Sequence, residues 1–287
     1  MAARRGGIIV ISSHVARGGV GNRGMGFALE RLGFTVWAVP TVTMPYHPGH
    51  GPAERIVPED SAFARLLEAL ADRRLASVAA IVSGYLASPA QADAVARLVG
   101  AVKAARPDAL YVCDPVIGDE GRLYVAAEIA CAVRDRLLPL ADLATPNAFE
   151  CAWLAEGGEG ELGDLQQLAA AARRLGPPRT VVTSAPALMR GQTANLLITD
   201  AETVVVEHRT VESRVKGAGD VLAALVTARL LEGREPPKAL ELATASVLEL
   251  VALSAQLERD ELPLPEGQHA LVRPSALVNV RRVATGR

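Results

Sequence analysis

The sequence predicts an α/β protein built from βαβ units around a mostly parallel sheet flanked by helices. Short apolar runs rich in Val and Ile alternate with helical patterns along the chain, and buried parallel strands have that composition. Most of these runs end in polar or turn residues. The chain has 287 residues, of which 50% are hydrophobic, and this suffices for the core of a single domain spanning residues 1–287.

The predicted elements follow one another in chain order with one interruption. Strands are expected at 8–11, 35–39, 78–82 and 109–113, and helices at 25–32, 61–72 and 90–104. Residues 195–198 and 203–207 are expected to form an antiparallel pair, and two long helices follow it. The interruption is residues 40–58, whose prolines and glycines predict a loop or an edge excursion rather than a core element.

Charge and cysteine content exclude several classes of function. The chain has 30 Lys and Arg residues against 32 Asp and Glu, a net charge of −2, without the basic runs typical of nucleic-acid binding. The apolar segment 8–11 is too short for a signal peptide or a membrane span. The three cysteines have no metal-like spacing. We therefore expect a cytoplasmic protein with reduced, buried thiols and with no nucleic-acid or membrane partner.

The segment Gly217-Ala218-Gly219-Asp220 directly precedes the apolar run 221–231 and predicts a helix start suited to phosphoryl transfer. Small residues let the backbone approach a ligand closely, and the first turn of a helix presents unpaired N–H groups and the positive end of the dipole. Such a turn stabilises negative charge on a transferring phosphoryl group. We expect the dipole to keep the Asp220 carboxylate ionised, ready to accept a proton from a hydroxyl. Helix capping alone also produces this composition.

Two further segments place acidic residues after predicted strands. Asn147 and Glu150 have the spacing of an N-cap and its capping-box partner, but a carboxylate at a strand-to-helix junction also holds hydrated Mg²⁺ through the waters of the ion. Asp114 and Asp119 follow a neighbouring strand, where a turn role is the alternative. Because ligands gather at the carboxyl ends of parallel strands, these acids predict a phosphoryl-transfer site.

The segment 19–24 matches the dinucleotide-binding pattern Gly-x-Gly-x-x-Gly but lacks its usual context. Its glycines begin several residues after the first predicted strand, and the second strand ends without an Asp or Glu to hold a ribose. We therefore expect a flexible turn before a helix. The sequence also contains no Gly-Lys-Ser or Gly-Lys-Thr, so it has no P-loop.

Together these motifs resemble the ribokinase superfamily, and in wording and order they resemble the pyridoxal kinases. The similar segments, within residues 8–231, are Ser13-His14-Val15, Gly21-Asn22, Ser83-Gly84-Tyr85-Leu86, Cys113-Asp114-Pro115-Val116-Ile117-Gly118-Asp119 and Thr145-Pro146-Asn147. The resemblance implies a ribokinase-like, three-layer α/β/α fold that uses ATP and Mg²⁺ to phosphorylate pyridoxal or a related B6 vitamer. It suggests a homodimer and leaves activation by a monovalent cation open.

The resemblance also implies roles for individual residues. Asp220 would deprotonate the alcohol of the substrate, the backbone of residues 217–219 would form an anion hole, and Asp114 and Glu150 would organise Mg²⁺ and the ATP phosphates. The other residues expected around the nucleotide and its phosphates are Asp119, Thr145, Asn147, Thr183 and Ser184. The residues expected to face the pyridine ring are Ser13, His47, Ser83 and Tyr85. A turn role for Ser13, a packing role for Tyr85 and a solvated position for His47 stay open.

The chain departs from the pyridoxal kinases in one loop. Many of them carry Ser-Asn-His-Thr there, whereas this chain reads Pro45-Tyr46-His47-Pro48, which fixes two backbone φ angles. The alternatives are a hydroxymethylpyrimidine kinase or a dual-specificity kinase of the same fold, and a non-catalytic protein that binds B6 vitamers. The start at 12–15 does not resemble the Gly-Ser-Asp type of start of hydroxymethylpyrimidine kinases, and the acids at 114, 150 and 220 argue against a loss of catalysis.

Overall fold

A nine-stranded sheet forms the centre of the computed structural model, which describes residues 6–71, 75–157 and 164–283. The strands are β1 (Gly7–Val15), β2 (Val36–Met44), β3 (Val78–Ser83), β4 (Leu110–Cys113), β5 (Gly118–Asp119), β6 (Arg122–Leu123), β7 (Leu143–Ala144), β8 (Arg179–Pro186), β9 (Gln192–Thr199), β10 (Thr203–Arg209) and β11 (Asn279–Val283). The α-helices are α1 (Asn22–Arg31), α2 (Asp60–Ala71), α3 (Pro89–Ala105), α4 (Ala127–Ala132), α5 (Ala148–Glu156), α6 (Leu165–Arg174), α7 (Ala218–Leu231), α8 (Pro236–Gln256) and α9 (Gln268–Val272).

The sheet is mostly parallel, as the sequence predicts. Its strand order is β11-β10-β9-β8-β7-β4-β3-β1-β2. The strands from β2 to β8 pair in parallel, while β8, β9, β10 and β11 pair antiparallel. Strands β5 and β6 form a separate antiparallel hairpin. The carboxyl ends of six parallel strands therefore meet at one edge of the sheet, which positions the site described below.

Two helical layers cover the two faces of the sheet. On β1, Ile9 and Ile11 pack into the layer that contains α2 to α6, and Ile8 and Val10 pack into the layer that contains α1, α7, α8 and α9. All four side chains are fully buried. A strand covered on both faces needs apolar residues at every position rather than at alternate ones. This accounts for the continuous apolar runs in the sequence.

Helix α7 is the central helix of its layer. Every residue from Val221 to Arg229 is buried, and the helix packs against α1 and α8. The neighbouring α8 is long and apolar enough to cross a membrane by length and composition, but 44% of its apolar window is buried inside the protein, and it packs on α7, β9 and β10. Helix α7 is a core helix, α8 buries one side against it, and the two predicted long helices after residue 220 are confirmed.

The strands near the amino terminus are longer than the sequence predicts. Strand β1 continues through Ser12 and Ser13 to Val15, and β2 continues to Met44. Residues 40–44 of the predicted loop or edge excursion are therefore edge strand, and the remainder is called the 45–58 segment below. Pro40 is tolerated inside β2 because an edge strand pairs on one side only.

The remaining elements differ from the predictions mostly at their ends. Helix α1 begins within the dinucleotide-like pattern, at Asn22, immediately after Gly21 with its positive φ of 54°. That geometry agrees with a turn before a helix. Cys113 and Cys151 are buried free thiols, as expected, whereas Cys131 is only half-buried.

Candidate active site

A cavity of about 540 Å³ lies where the carboxyl ends of the parallel strands meet the start of α7. It brings together most of the residues that the sequence predicts for a site. Those that line it are Ser13, His47, Tyr85, Asp114, Asp119, Thr145, Asn147, Glu150, Thr183, Gly217, Gly219 and Asp220. They come from segments up to about two hundred residues apart, and the parallel sheet accounts for their convergence.

Gly217 and Gly219 shape the start of α7 in different ways. Gly217 has φ 90° and ψ 3°, in the left-handed region that favours glycine. A Cβ on Gly217 would lie 2.6 Å from the carbonyl oxygen of Gly19. A Cβ on Gly219 would meet nothing within 4 Å. The N–H groups of this first turn have no intrahelical acceptor and are available to an anion in the cavity.

Asp220 lies in the same turn and is half-buried. Its carboxylate accepts a hydrogen bond from the backbone N–H of Gly21, yet burial raises the pKa of Asp220 to about 6. The sequence led us to expect that the helix dipole would favour the ionised form. The direction of the shift is the opposite because the loss of hydration outweighs the dipole and the hydrogen bond. At neutral pH the group is still mostly ionised and can act as a base.

Asp114 and Glu150 are two buried carboxyl groups that face the cavity with Asp220. The Thr145 hydroxyl donates to Asp114 Oδ1 at 2.8 Å. Burial, followed by the negative charges of Asp220 and Glu150, raises the pKa of Asp114 well above its usual value. Burial also raises the pKa of Glu150 to about 7. Like charges confined together in this way favour a bound cation.

Glu150 forms the capping box that its spacing predicts, and it also lines the cavity. Its Oε2 accepts the backbone N–H of Asn147 at 2.9 Å, and Asn147 Oδ1 accepts the backbone N–H of Glu150 at 2.9 Å, which is a complete capping box. Its Oε1 accepts the N–H of Ile117 at 2.8 Å and of Gly118 at 3.3 Å. Glu150 therefore holds the start of α5 and the chain before the β5–β6 hairpin in place while it lines the cavity.

These acids fit a hydrated cation better than a directly ligated one. Within residues 6–71, 75–157 and 164–283, no group of three or more His, Cys, Asp and Glu side chains is arranged to hold a metal ion. Mg²⁺ keeps several of its waters and uses few protein carboxylates. Asp114 and Glu150 are two such carboxyl groups, because both are buried and both line the cavity.

The raised pKa values predict an acid limit to activity. A general base must be deprotonated, and the pKa values of Glu150 and Asp220 are raised to about 7 and about 6. The ionised forms are lost as the pH falls through these values. We therefore expect kcat/KM to decline as the pH is lowered from about 7 to about 6. Initial rates of ADP release, recorded across this pH range, provide the measurement. An acid limb centred near pH 4, the range of an unperturbed carboxyl, would contradict the assignment of the site.

Three predicted site residues do not line the cavity. Ser83 is buried at the end of β3, and its hydroxyl lies 2.8 Å from the Tyr111 hydroxyl, so it faces a neighbouring strand rather than a ring in the cavity. Ser184 is exposed with a positive φ of 53°. Ala218 contributes no side chain to the lining, although its backbone N–H belongs to the first turn of α7. The role of Ser184 at the nucleotide stays a prediction.

The 45–58 segment covers one side of the cavity through His47. The imidazole Nδ1 of His47 accepts the backbone N–H of Gly49 at 2.9 Å. Burial, and then the charges of Lys216 and His50, lower the pKa of His47, so the ring is neutral at physiological pH. Tyr46 donates to the carbonyl oxygen of Pro52 at 2.9 Å. The segment is exposed over much of its length, and it contributes His47 and Arg55 to the wall of the cavity.

The chain that forms this cavity matches known proteins over nearly its whole length. The family model described as phosphomethylpyrimidine kinase matches residues 55–265. The pyridoxal kinase PdxY of Rubrobacter xylanophilus is 37% identical over 282 residues, covering 96% of this chain and 97% of that protein. The PdxY of Leifsonia xyli is 36% identical over 282 residues, covering 96% and 99%. This chain belongs to the pyridoxal kinase family.

Solved members of the pyridoxal kinase family share the fold. The pyridoxal kinase of Leishmania donovani in complex with ADP and pyridoxamine matches with a TM-score of 0.89 and 30% identity, covering 96% of this chain and 99% of that chain. The predicted ribokinase-like arrangement, with a mostly parallel sheet between helices, is confirmed. The assignment to an enzyme family is confirmed as well.

In this member of the pyridoxal kinase family, several cavity residues carry no clear sequence signal. Lys216, Arg55, Arg122 and Tyr124 all line the cavity. Lys216 could have been found because it directly precedes Gly217. The other three lie in loops or hairpin ends, where the sequence alone does not tell which way a side chain points.

Proposed function

We propose that this chain transfers the γ-phosphoryl group of ATP to the hydroxymethyl group of pyridoxal in the salvage of vitamin B6, giving pyridoxal 5'-phosphate. The observation that carries the proposal is the placement of Asp220 at the glycine-rich start of α7, in one cavity with Asp114 and Glu150. The Leishmania donovani relatives are described in complex with ADP and pyridoxamine or pyridoxine. These names support a nucleotide-dependent kinase of B6 alcohols.

The proposed reaction is a direct displacement. The alcohol oxygen forms a bond to the γ-phosphorus, its proton passes to the Asp220 carboxylate, and the bond from the γ-phosphorus to the bridging oxygen breaks to release ADP. The backbone N–H groups of residues 217–219 stabilise the charge on the phosphoryl oxygens during transfer. A general base contributes about 10²- to 10⁴-fold, and an anion hole about 10²- to 10³-fold.

We propose Mg²⁺ as the cation of the site, held through its waters by Asp114 and Glu150. A bound Mg²⁺ neutralises charge on the phosphates of the nucleotide. The hydroxyl of Thr145 fixes the Asp114 carboxyl by its 2.8 Å hydrogen bond, and the backbone bonds to Glu150 fix that side chain. The nucleotide itself is proposed to extend past Thr183 toward Ser184.

We also propose that the protein is a homodimer in the cytoplasm. Support for the dimer comes from the resemblance to the pyridoxal kinases. Support for a reducing compartment comes from the free thiols of Cys113, Cys131 and Cys151. The mass of the purified protein in solution tests the dimer.

We keep hydroxymethylpyrimidine as a second candidate substrate, because the matching family model is described as a phosphomethylpyrimidine kinase and the two compounds share the pyrimidine ring. Its hydroxymethyl group is also carried on a nitrogen heteroaromatic ring, so the same turn of α7 could serve both alcohols. A dual-specificity kinase is the intermediate possibility. The start at residues 12–15 favours the B6 substrates.

A panel of alcohols tests the proposed function. We expect kcat/KM, measured by coupled ADP release under identical Mg²⁺ and ATP, to be at least about tenfold higher for pyridoxal than for hydroxymethylpyrimidine. A preference for the pyrimidine would replace the proposal with the second candidate. Tight binding of vitamers with no ADP formed from any alcohol would indicate a non-catalytic binding protein.

A further inference from the structure

Two side chains thirty residues apart meet at the wall of the cavity. The Arg55 guanidinium donates a hydrogen bond from Nη2 to the phenol oxygen of Tyr85 at 2.5 Å. The guanidinium carbon lies 5.6 Å from the centre of the Tyr85 ring. Both residues line the cavity that contains Asp220. This contact involves the 45–58 segment, which departs from the pattern of the pyridoxal kinases.

Both partners are attached to well-held backbone. The N–H of Tyr85 donates to the Ser12 hydroxyl at 3.1 Å, and the Tyr85 carbonyl oxygen accepts the Thr41 hydroxyl at 2.7 Å. Next to Arg55, the backbone groups of Ile56 and Thr43 exchange two hydrogen bonds of 2.9 Å. The two side chains therefore approach each other from fixed positions, and little further ordering is needed when a ligand arrives.

Within the described part of the chain, the guanidinium of Arg55 forms no ion pair with a carboxylate. None of the ion pairs found among the described residues includes Arg55, and a guanidinium has five N–H donors, of which the phenol of Tyr85 takes one. Because the Tyr85 oxygen accepts this bond, its own O–H can donate as well. Arg55 and Tyr85 together thus present a cationic set of donors to the cavity.

The acidic groups of the same cavity come from other elements, namely Asp114 after β4, Glu150 in α5 and Asp220 in α7. The cavity therefore has an acidic part, which suits a cation and an alcohol, and three basic side chains on its wall, namely Arg55, Arg122 and Lys216. His47, which also lies on the 45–58 segment, does not add to the positive charge because its pKa is lowered. A ligand that fits both parts carries an alcohol at one position and a negative charge at another.

We propose that Arg55 and Tyr85 bind the ionised ring hydroxyl of B6 alcohols and so select them against hydroxymethylpyrimidine. This inference rests on the proposed function. A hydroxyl on a pyridine ring is far more acidic than an aliphatic alcohol, and its oxyanion accepts charge-assisted hydrogen bonds from a guanidinium. The pyrimidine alcohol carries an amino group on its ring instead, which is itself a donor, and leaves the donors of Arg55 without an acceptor.

The test uses Arg55→Gln and two substrates. One is pyridoxine, and the other is an analogue of pyridoxine in which hydrogen replaces the ring hydroxyl. We expect Arg55→Gln to lower kcat/KM for pyridoxine by about 10- to 100-fold, the order of a lost charge-assisted hydrogen bond, mainly through KM. For the analogue we expect a change within about twofold. Arg55→Lys is expected to lose less kcat/KM for pyridoxine than Arg55→Gln does. Tyr85→Phe is expected to lower kcat/KM for pyridoxine by a smaller factor, again with little change for the analogue.

A matched control is Arg65→Gln, which removes an exposed arginine on α2 outside the cavity. This substitution is expected to leave kcat/KM unchanged for both substrates. If Arg55→Gln lowers kcat/KM equally for both substrates, Arg55 only orders the 45–58 segment and the inference is overturned. The inference is also overturned if Arg55→Gln leaves kcat/KM for pyridoxine unchanged. Activity of the unmodified enzyme on pyridoxine separates these outcomes from failure of the proposed function, because a wild-type protein without that activity would refute both.

Discussion

Asp220→Asn is expected to lower kcat for pyridoxal by about 10²- to 10⁴-fold, the contribution of a general base. The amide keeps the size of the side chain and can still accept the N–H of Gly21, as the carboxylate does, but it cannot take the proton of the alcohol. Binding of ATP is expected to change little, because the first-turn N–H groups remain. Steady-state kinetics and calorimetric titration of the nucleotide provide the two measurements. Near-normal turnover would remove Asp220 from the role of base.

The same substitution is expected to stabilise the fold at neutral pH. The pKa of Asp220 is raised from 3.8 to about 6, so the folded state binds a proton more tightly than the unfolded state between these values. Above about pH 6 the folded protein must carry an ionised, poorly hydrated carboxylate, which lowers its stability. Asn has no such cost. A higher Tm for Asp220→Asn at pH 7, with the difference vanishing below about pH 4, would identify a group kept for function at a cost in stability.

Gly219→Ala is expected to lower kcat/KM by about 10- to 100-fold without destabilising the protein. A methyl group at this position meets nothing within 4 Å in the free protein, and Ala in a helix is favoured over Gly by about 0.5–1 kcal/mol. The added Cβ nevertheless enters the cavity that Gly219 lines, where the phosphoryl group must approach the backbone. Thermal unfolding and kinetics on one preparation separate the two effects.

Gly217→Ala is the matched comparison, and it is expected to lose both stability and activity. Its φ of 90° is unfavourable for any L side chain, at a cost of about 1–2 kcal/mol, and its Cβ would lie 2.6 Å from the Gly19 carbonyl oxygen. A fall in Tm is expected here and not for Gly219→Ala. If Gly219→Ala kept full activity, the first turn of α7 would not be the anion hole.

The sequence predicts the sheet and most of the cavity because the signals are local. Continuous apolar runs such as that of β1 specify strands buried on both faces, and the polar residues after them must gather where parallel strands end. Asp114, Glu150 and Asp220 can be found in this way from the order of residues along the chain. The capping box of Asn147 and a position of Glu150 in the site looked like alternatives in the sequence, but Glu150 forms the box and also lines the cavity.

Where the predictions fail, the cause is not local. Ser83 ends a strand, but its hydroxyl pairs with that of Tyr111 on the adjacent strand, and Ser83 does not line the cavity. Strand β2 continues through Pro40 because it lies at the sheet edge, which depends on the strand order. Arg55, which the sequence did not single out, meets Tyr85 from thirty residues away at the wall of the cavity. Side-chain direction and distant pairing are set by tertiary structure rather than by spacing along the chain.

The central claim is that this cavity transfers a phosphoryl group from ATP to a B6 alcohol with Asp220 as base. The most direct measurement is a single-turnover reaction of excess enzyme with Mg²⁺, ATP and pyridoxal, followed by identification of the products of wild type and Asp220→Asn in parallel. The wild type is predicted to form pyridoxal 5'-phosphate and ADP in equal amounts, and Asp220→Asn to bind both substrates but form the products at least about 10²-fold more slowly. Equal rates for the two proteins, or ADP formed by the wild type without a phosphorylated vitamer, would contradict the claim.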